Sequence, residues 1–323
     1  MKKLGIVLTT LLMIAISIGS IGCNGEQTTP TVTPSLTPTP TEHPIILIQG
    51  EEDTSPRIHM VALNVMGNNS YPIEQTVQGR IDEINSQGGL AIIAHPNAPG
   101  LIVSEAELKA LSNYLGIELD YTTAPTEWDA VLTDRVARGE PLVWGLMTDD
   151  AHSLEGIGTG FIMLRTAKLS KDDVLAALKQ GSFYWGDTAL IKDVSLSGNR
   201  IAISLTSKGI ITFIKQGGQV VKTVTGTSGQ YTVSGDEGYI RVDVEPADPV
   251  RSRAGTQPFR IMDASNITNP YAGSGDWYKG NLHCHTTISD GALSPNEVAS
   301  LYEEKGYSFL AITDHIVWNI PGE

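Results

Sequence analysis

Short apolar runs alternate with amphipathic stretches between residue 44 and residue 190. Apolar runs of strand length, continuous enough for strands buried on both faces, cover residues 45–49, 59–65, 90–96, 115–121 and 141–148. Helical periodicity lies between and after them, over residues 73–87, 104–115, 127–139 and 170–181. Ser170 is the predicted N-cap of the last helix and Gly181 its stop. The alternation predicts parallel strands in an α/β fold, either layered or closed into a barrel.

A different pattern covers residues 191–262, where short alternating strands are broken by Gly, Asn and Asp. This pattern predicts a small all-β unit, an immunoglobulin-like sandwich. Residues 263–276, rich in Gly, Ser and Asn, read as a linker. From residue 277 the chain returns to a strand, a helix at 294–306 and a strand at 307–315. The α/β region of residues 44–190 is therefore expected to resume in residues 277–323.

The N-terminus has the pattern of an export signal. Lys2 and Lys3 precede an apolar run too short for a confident membrane span, and small residues follow up to Cys23. Residues 1–23 resemble a bacterial lipoprotein signal with Cys23 as the lipidation site, and a plain secretory signal or uncleaved anchor stays open. The Thr- and Pro-rich residues 24–43 read as a tether. We expect an extracytoplasmic protein, at the bacterial cell surface or in the periplasm, that contacts the membrane through its lipid anchor only.

Charge narrows the range of partners. The 323 residues carry a net charge of −14, and no basic run is longer than the Lys2–Lys3 pair. Stable nucleic-acid binding through phosphates needs a basic stripe, so it is not expected. A small phosphorylated substrate is compatible with an acidic chain, because bound metal ions reverse the local charge.

Six of the seven histidines lie at or near the ends of strand-like runs, whereas His43 lies in the tether. In parallel α/β folds the loops at the carboxyl ends of the strands converge on one face and carry the functional site. Residues two apart on a strand point to one side, so His283 and His285 can reach one metal ion. Cys284 then faces the opposite way, into packing, and Asp290 follows in a Ser-Asp-Gly turn.

The other candidate donors have the same placement. Asp150 and His152 alternate after one strand, His95 and His315 each follow a strand, Glu52 ends the first strand and His59 opens the next. The candidate ligands are nine nitrogen and oxygen donors without a thiolate, which suits Zn²⁺, Mn²⁺ or Fe²⁺. Nine donors exceed the needs of one ion, so two or three ions that share bridging carboxylates are expected.

These motifs, HCHTTISDG, LAITDH, QGEE, RIH, LAIIAHP and TDDAH, together resemble the PHP superfamily, named for polymerase and histidinol phosphatase. The resemblance implies a distorted (β/α)7 barrel with two or three metal ions at the carboxyl ends of its strands. It implies as ligands His283, His285, Asp290, His315, Glu52, His59, His95, Asp150 and His152. Glu52 would be a bridging ligand and is favoured over Glu51. Asp314 and Asp149 would orient imidazoles from behind the ligands.

The order of the motifs departs from the family, whose members begin with the His-x-His motif. Here the segment from Gly-Glu-Glu to Asp-Asp-Ala-His comes first, and the His-x-His and Thr-Asp-His motifs come last. The chain therefore resembles a circularly permuted member with an all-β interruption. Its site is expected to close either within one chain or between the two chains of a domain-swapped homodimer.

The function expected from these features is that of a metal-dependent phosphoesterase, a phosphatase or a phosphodiesterase. No Ser, Cys or Lys nucleophile motif is present, which favours a metal-bound hydroxide as the nucleophile. Lys279 and Arg57 lie near the motifs, where a solvated surface role is favoured over phosphate neutralisation. Two alternatives stay open: a metal-dependent hydrolase of non-phosphate ester or amide bonds, and a non-catalytic, lipid-tethered surface binding protein.

Overall fold

A computed structural model describes residues 44–54, 58–65, 75–98, 103–119, 125–247 and 252–316. The predicted signal, the tether and Arg57 lie outside these residues. The strands in the described part are β1 (Ile46–Thr54), β2 (His59–Leu63), β3 (Leu90–Ile93), β4 (Gly116–Glu118), β5 (Trp144–Leu146), β6 (Phe161–Thr166), β7 (Phe183–Gly186), β8 (Ile191–Ser197), β9 (Arg200–Lys215), β10 (Gln219–Thr232), β11 (Tyr239–Pro246), β12 (Ala254–Thr256), β13 (Phe259–Asp263), β14 (Asn266–Thr268), β15 (Asp276–Asn281) and β16 (Phe309–Ile312).

The helices are α1 (Val77–Ser86), α2 (Glu105–Ala110), α3 (Pro125–Arg138), α4 (Lys171–Gln180) and α5 (Pro295–Glu304). The predicted limits of α4 are confirmed. The Ser170 side chain accepts a hydrogen bond from the Asp173 backbone N–H, and Gly181 ends the helix in the left-handed conformation. Within the described ranges, none of the helices combines the length and apolar character needed to span a membrane.

The strands form a mixed sheet, so the protein is a sheet-rich α/β protein. The strand order is β10-β9-β11-β12-β7-β6-β15-β16-β1-β2-β3-β4-β5, with β8 paired to β9 and with β13 paired to β11 and β14. Strands β6 and β7, which the sequence pattern did not predict, lie between β12 and β15 in the sheet.

The prediction that the first strands are all parallel is wrong. β1 pairs with β2 and β2 with β3 in antiparallel register, whereas β3, β4 and β5 are parallel to one another. The connection between Thr54 and His59 is too short for the crossover that a parallel pair needs. As a consequence, the start of β2 lies at the same sheet edge as the carboxyl ends of β1 and β3, and His59 pairs with Thr54.

Residues 191–262 supply most of a second hydrophobic core, which includes Val194, Phe213, Val242 and Phe259. Their strands nevertheless continue the main sheet through the pairing of β12 with β7. The segment predicted as a linker contains β14 and also the buried Tyr271, whose hydroxyl donates to the Phe183 carbonyl at 3.0 Å. That segment is therefore part of the packed structure, and the immunoglobulin-like topology of the β unit stays a prediction.

Gln257, the residue after β12, pairs with the edge strand β5 at the end of the strand order. Its fully buried carboxamide donates to the Gly145 carbonyl of β5 at 2.7 Å and accepts from the Gly145 N–H at 2.9 Å. This side chain satisfies a strand edge that would otherwise expose polar backbone groups. Among the described residues no strand pair closes the ring between β5 and β7, so a closed barrel stays a prediction.

Candidate metal centre

The predicted donors lie together at one edge of the sheet. The carboxyl ends of β3, β5, β15 and β16 lead to His95, to Asp150 and His152, to His283 and His285, and to His315. Glu52 lies near the end of β1, and His59 opens the antiparallel β2. The structure therefore places all nine predicted donors together, although metal ligation by them stays a prediction.

The donors form three overlapping groups, each with ligand atoms within 4.8 Å of one another. Two of them, the inner groups, share Glu52. The third, the outer group, is the more exposed. The inner groups are Glu52/Asp150/His283/His285 and Glu52/His59/His95, and the outer group is His152/His285/Asp290/His315.

Glu52 lies at the centre of the two inner groups. Its Oε1 atom is 2.9 Å from His59 Nδ1 and 3.1 Å from His95 Nε2. Its Oε2 atom lies 3.0 to 3.3 Å from nitrogens of three further imidazoles, those of His283, His285 and His315. Glu51 belongs to none of the three groups, and alternation along β1 directs it to the other face. The geometry thus favours Glu52 as the shared carboxylate.

Several donor atoms fit a cation better than they fit each other. Glu52 Oε2 and His315 Nδ1 are buried, 3.0 Å apart, and lack hydrogen-bond partners of acceptable geometry. The Nε2 atoms of His283 and His285 face each other at 3.1 Å. Buried polar atoms are normally paired, so atoms that converge without pairing are what a metal site requires. The nitrogen and oxygen donors suit Zn²⁺, Mn²⁺ or Fe²⁺.

The electrostatics of the centre favour positive charge beside its carboxylates. Burial would raise the pKa of Glu52, but the charge of His283 and the close approach of the surrounding imidazoles hold it far below its usual range. Asp150 has a pKa of about 2, because the effects of His283 and His285 outweigh burial. The pKa of His283 is raised well above its usual value despite burial, through the charges of Glu118, Asp150 and Glu52. A proton or a divalent cation can supply the positive charge that these carboxylates favour.

Two of the donors have a left-handed backbone conformation, which is uncommon for residues other than glycine. His95 has φ of 22° and Asp150 has φ of 46°. Hydrogen bonds hold both: the Asp150 N–H donates to the His283 carbonyl at 3.0 Å, and the His95 N–H donates to Glu118 Oε2 at 3.0 Å. Strained backbone that the surroundings hold in place is typical of functional sites.

Sequence reasoning missed Glu118, the last residue of β4. Its Oε1 atom accepts hydrogen bonds from His283 Nδ1 and from the Thr148 hydroxyl, each at 2.9 Å. A carboxylate behind a ligand imidazole fixes the tautomer and orientation of the ring. The available signal was a carboxylate within a mostly apolar strand run, residues 115–121.

Among the described residues, the hydrogen bonds of the Asp149 carboxylate go to a loop and to α5 rather than to an imidazole, which differs from the predicted role. Asp149 accepts hydrogen bonds from the backbone N–H groups of Gly158 and Gly160, at 2.8 and 2.6 Å, and from the Tyr302 hydroxyl at 2.8 Å. Its own N–H donates to the Asn281 carboxamide at 3.0 Å. Asp149 therefore ties the loop that carries Asp150 to the end of β15 and to α5.

Asp314 likewise holds a loop rather than a ring. Its carboxylate accepts from the Thr286 N–H and hydroxyl, each at 2.7 Å, and from the Ser289 hydroxyl at 2.8 Å. These bonds fix the turn between His285 and Asp290. Because neighbouring residues of extended chain point in opposite directions, Asp314 faces away from the donors that His315 faces.

The outer group opens toward solvent. The side chains of His152 and Asp290 are 39% and 56% exposed, and His152 Nε2 lies 3.4 Å from Asp290 Oδ1. Asp290 Oδ2 is also 3.4 Å from His315 Nε2. Cys284, between the two histidines of the His-x-His motif, is fully buried and its thiol donates to the Ala311 carbonyl at 3.4 Å, so its predicted packing role is confirmed.

A cavity of about 220 Å³ adjoins the inner groups. His95 and Asp150 line it on the side of the metal centre, and Thr148, Leu119 and Met147 contribute to its other walls. Its volume lies below the roughly 300–1,000 Å³ of typical small-molecule pockets, so only a small ligand fits it.

Lys279 packs against aromatic rings. Its ammonium lies 4.0 Å from the centre of the Tyr307 ring and 4.6 Å from that of Phe161, and burial lowers its pKa. It does not line the 220 Å³ cavity. The structure therefore assigns it a cation–π contact rather than a position beside a substrate in that cavity.

These features define a sheet-rich α/β protein with histidine and carboxylate groups that could hold metal ions. No family model matches the chain. It is similar to the DNA polymerase/3'-5' exonuclease PolX of Bacillus subtilis (strain 168), with 57% identity over 37 residues. Those residues are 12% of this chain and 6% of PolX, so the chain spans only a small part of that relative.

A solved structure also resembles this chain. It is that of a two-domain protein from Bacteroides vulgatus ATCC 8482 that contains a predicted PHP-like metal-dependent phosphoesterase. The likeness covers 73% of this chain and 74% of the other, with 14% identity and a TM-score of 0.33. At this TM-score the likeness does not define the fold of the present chain.

Proposed function

We propose that this protein is a metal-dependent phosphoesterase with a centre for two or three divalent ions. The observation that carries the proposal is the convergence of five imidazoles on the single buried carboxylate of Glu52. Three overlapping donor groups on nitrogen and oxygen atoms support a multinuclear site, and Zn²⁺, Mn²⁺ and Fe²⁺ are the matching ions.

The two inner groups and the outer group are the candidate ion positions, and the Glu52 carboxylate would be shared between the inner groups. His285 belongs to an inner group and to the outer group, and as a neutral imidazole it would serve one ion. When bound, such ions activate a water molecule as the nucleophile and neutralise phosphoryl oxygens. The residues of the chain supply the rest. Glu118 holds the His283 ring, and the loop contacts of Asp149 and Asp314 keep Asp150 and Asp290 in place.

The 220 Å³ cavity is the proposed site of the substrate. Its boundary with His95 and Asp150 would place a phosphoryl group against the metal centre. The hydroxyls of Thr148 and Thr159 donate to protein acceptors, so toward the organic part of the ester they would act as acceptors. Leu119 and Met147 provide an apolar wall that limits the entry of water. A small phosphate ester is the substrate class that fits.

The test combines metal analysis with a substrate panel. The purified full chain is loaded with Zn²⁺, Mn²⁺ or Fe²⁺ and assayed on phosphomonoesters, phosphodiesters, carboxylic esters and carboxamides. We expect hydrolysis of phosphate esters, with a loss of about 1,000-fold in His283→Ala and in His95→Ala, because each removes an inner ligand. His43→Ala, which lies in the predicted tether, is the matched control and should retain full activity.

The outcomes separate the competing functions. Hydrolysis of carboxamides or carboxylic esters but not phosphate esters would replace the phosphoesterase by another metal-dependent hydrolase. Fewer than about one tightly held ion per chain, together with no hydrolysis, would leave the non-catalytic surface binding protein.

We also infer that the chain is exported and anchored through lipid on Cys23. The basic residues, short apolar run and small residues of residues 1–23, followed by a Thr/Pro tether, support this inference. In cells fed a radiolabelled fatty acid, the wild type should be labelled and found with membranes. Cys23→Ser should be unlabelled, and labelling of that variant would contradict the assignment.

A further inference from the structure

The Glu118 carboxylate connects residues from three strand ends. Strand β4 lies between β3, which leads to His95, and β5, which leads to Thr148. Glu118 is only 3% exposed and accepts three hydrogen bonds. Its Oε1 atom accepts from His283 Nδ1 and the Thr148 hydroxyl at 2.9 Å, and its Oε2 atom accepts from the His95 N–H at 3.0 Å.

The bond to His283 decides which nitrogen of that ring can bind a metal ion. A proton held on Nδ1 by Glu118 leaves the lone pair on Nε2. Nε2 is the atom that faces the inner group, at 3.3 Å from Glu52 Oε2 and 3.3 Å from Asp150 Oδ1. Glu118 therefore directs the metal-binding nitrogen toward the other donors.

The bond to His95 acts on the backbone. His95 has φ of 22°, in a sparsely populated region, and the Glu118 bond to its N–H helps to offset the cost of that conformation. The same conformation brings His95 Nε2 to 3.1 Å from Glu52 Oε1. One carboxylate thus orients a ring in one inner group and a backbone in the other.

We propose that Glu118 is a positioning residue that couples the two inner groups, so that ions in both depend on it together. This inference rests on the proposed metal-dependent function. Among the described contacts Glu118 accepts no hydrogen bond from a member of the outer group, so the ion held there should bind independently of Glu118.

The test uses Glu118→Gln in the full chain, with Glu237→Gln as the matched control. Glu237 is also buried, at 1% exposed, and accepts N–H bonds from Ser234 and Gly235, but it lies in the β unit. Stepwise Zn²⁺ affinities are measured by competition with a chromophoric chelator, and Co²⁺ absorption spectra report the geometry of each site. Circular dichroism establishes that both variants are folded.

We expect Glu118→Gln to weaken two of the three ions by about 10- to 100-fold, because it cannot hold the His283 ring and the His95 backbone with two acceptor oxygens. The third ion should bind as in the wild type, and Glu237→Gln should change no affinity. Weaker binding of one inner ion alone, or Zn²⁺ affinities that change no more than in Glu237→Gln, would overturn the coupling of the two inner groups by Glu118.

A second measurement keeps the inference testable if Glu118→Gln does not fold. In the Zn²⁺-loaded wild type, ¹⁵N spectra should show the His283 ring protonated on Nδ1, the signal being assigned by its absence in His283→Ala. A His283 ring that carries its proton on Nε2 would refute the role of Glu118. A wild type that binds no metal would instead remove the proposed function itself.

Discussion

Asp129 forms a buried ion pair with Arg241 that links helix α3 to the β unit across 112 residues of sequence. Asp129 accepts from Arg241 Nε at 2.8 Å and Nη2 at 2.6 Å, and from the Tyr239 hydroxyl at 2.6 Å. Arg241 is 2% exposed, also donates to Asp243 and lies 5.4 Å from the centre of the Trp128 ring. We predict that Asp129→Leu strongly destabilises the whole described fold.

The loss of stability in Asp129→Leu can be worked out from the buried Arg241 charge that remains. Removal of one partner of a buried pair costs about 3–5 kcal/mol, because the other charge is left desolvated. Arg241 keeps Asp243, whose side chain is 25% exposed, so we expect the lower end of that range, about 3 kcal/mol. Loss of the acceptor for Tyr239 adds about 1 kcal/mol. For a domain of this size the midpoint of thermal unfolding should fall by roughly 6–12 °C.

The assay is urea unfolding followed by tryptophan fluorescence, since the buried Trp128 stacks on the ion pair. Arg241→Met and the double variant Asp129→Leu/Arg241→Met complete a double-mutant cycle. We expect the double variant to be more stable than Asp129→Leu alone, with a coupling free energy of about 2–3 kcal/mol. A cost below about 1 kcal/mol for Asp129→Leu, or a double variant whose cost equals the sum of the single costs, would refute the desolvated pair.

Three further predictions concern the metal centre, acid stability and the edge strand β5. Glu52→Gln should lose the two inner ions and keep the outer one, whereas Asp290→Asn should lose only the outer ion, as counted by elemental analysis of dialysed protein. The carboxyl of Glu237 has a pKa of about 2 against 4.5 normally, because hydrogen bonds from Ser234, Gly235 and Tyr231 outweigh burial. The stabilisation by the charged Glu237 is complete above pH 4.5 and is lost as pH falls toward 2. Glu237→Gln should therefore reduce the change in the free energy of urea unfolding between pH 2 and 4.5, by at most about 3 kcal/mol. Gln257→Leu leaves both Gly145 backbone groups unpaired and should cost about 2–5 kcal/mol in the same assay, and a neutral effect would contradict this pairing with β5.

The sequence was enough to predict that the nine donors come together, because local geometry decides most of their placement. Alternation along extended chain brings His283 and His285 to one side and buries Cys284. The carboxyl ends of the strands converge because β1, β3, β4 and β5 run in one direction, even though β2 runs against them. His59 therefore reaches the site from the start of its strand, because β2 is antiparallel to its neighbours. The strand pattern in the sequence did not indicate that direction.

The errors lie where long-range partners decide the outcome. The apolar run around Glu118 gave no indication that its carboxylate meets His283, 165 residues away. Asp149 and Asp314 were read from their position beside ligands, but their hydrogen bonds go to loops whose approach depends on the packing of the whole sheet. Tyr271 was assigned to a linker because Gly, Ser and Asn surround it, yet the second core buries it.

Strand β16 decides whether one chain can complete the site. It lies between β15 and β1, and Phe309 pairs with Gly280 on one side and Ile46 on the other. After β16, the Glu52 N–H donates to the Asp314 carbonyl at 3.1 Å, and the Ile316 N–H donates to the Glu52 carbonyl at 3.0 Å. These bonds join residues 277–316, the late segment, to β1 of the same chain.

If that closure holds in solution, two inactive variants cannot repair each other. We predict that His283→Ala and Glu52→Gln, co-expressed or refolded together, give no more activity than either alone, because every chain then carries one defective ligand. In a domain-swapped homodimer, the intact late segment of the Glu52→Gln chain would meet the intact residues 44–190 of the His283→Ala chain, and one complete site would form. Recovery of hydrolysis in the mixture would therefore show that sites form between chains and would overturn closure within one chain.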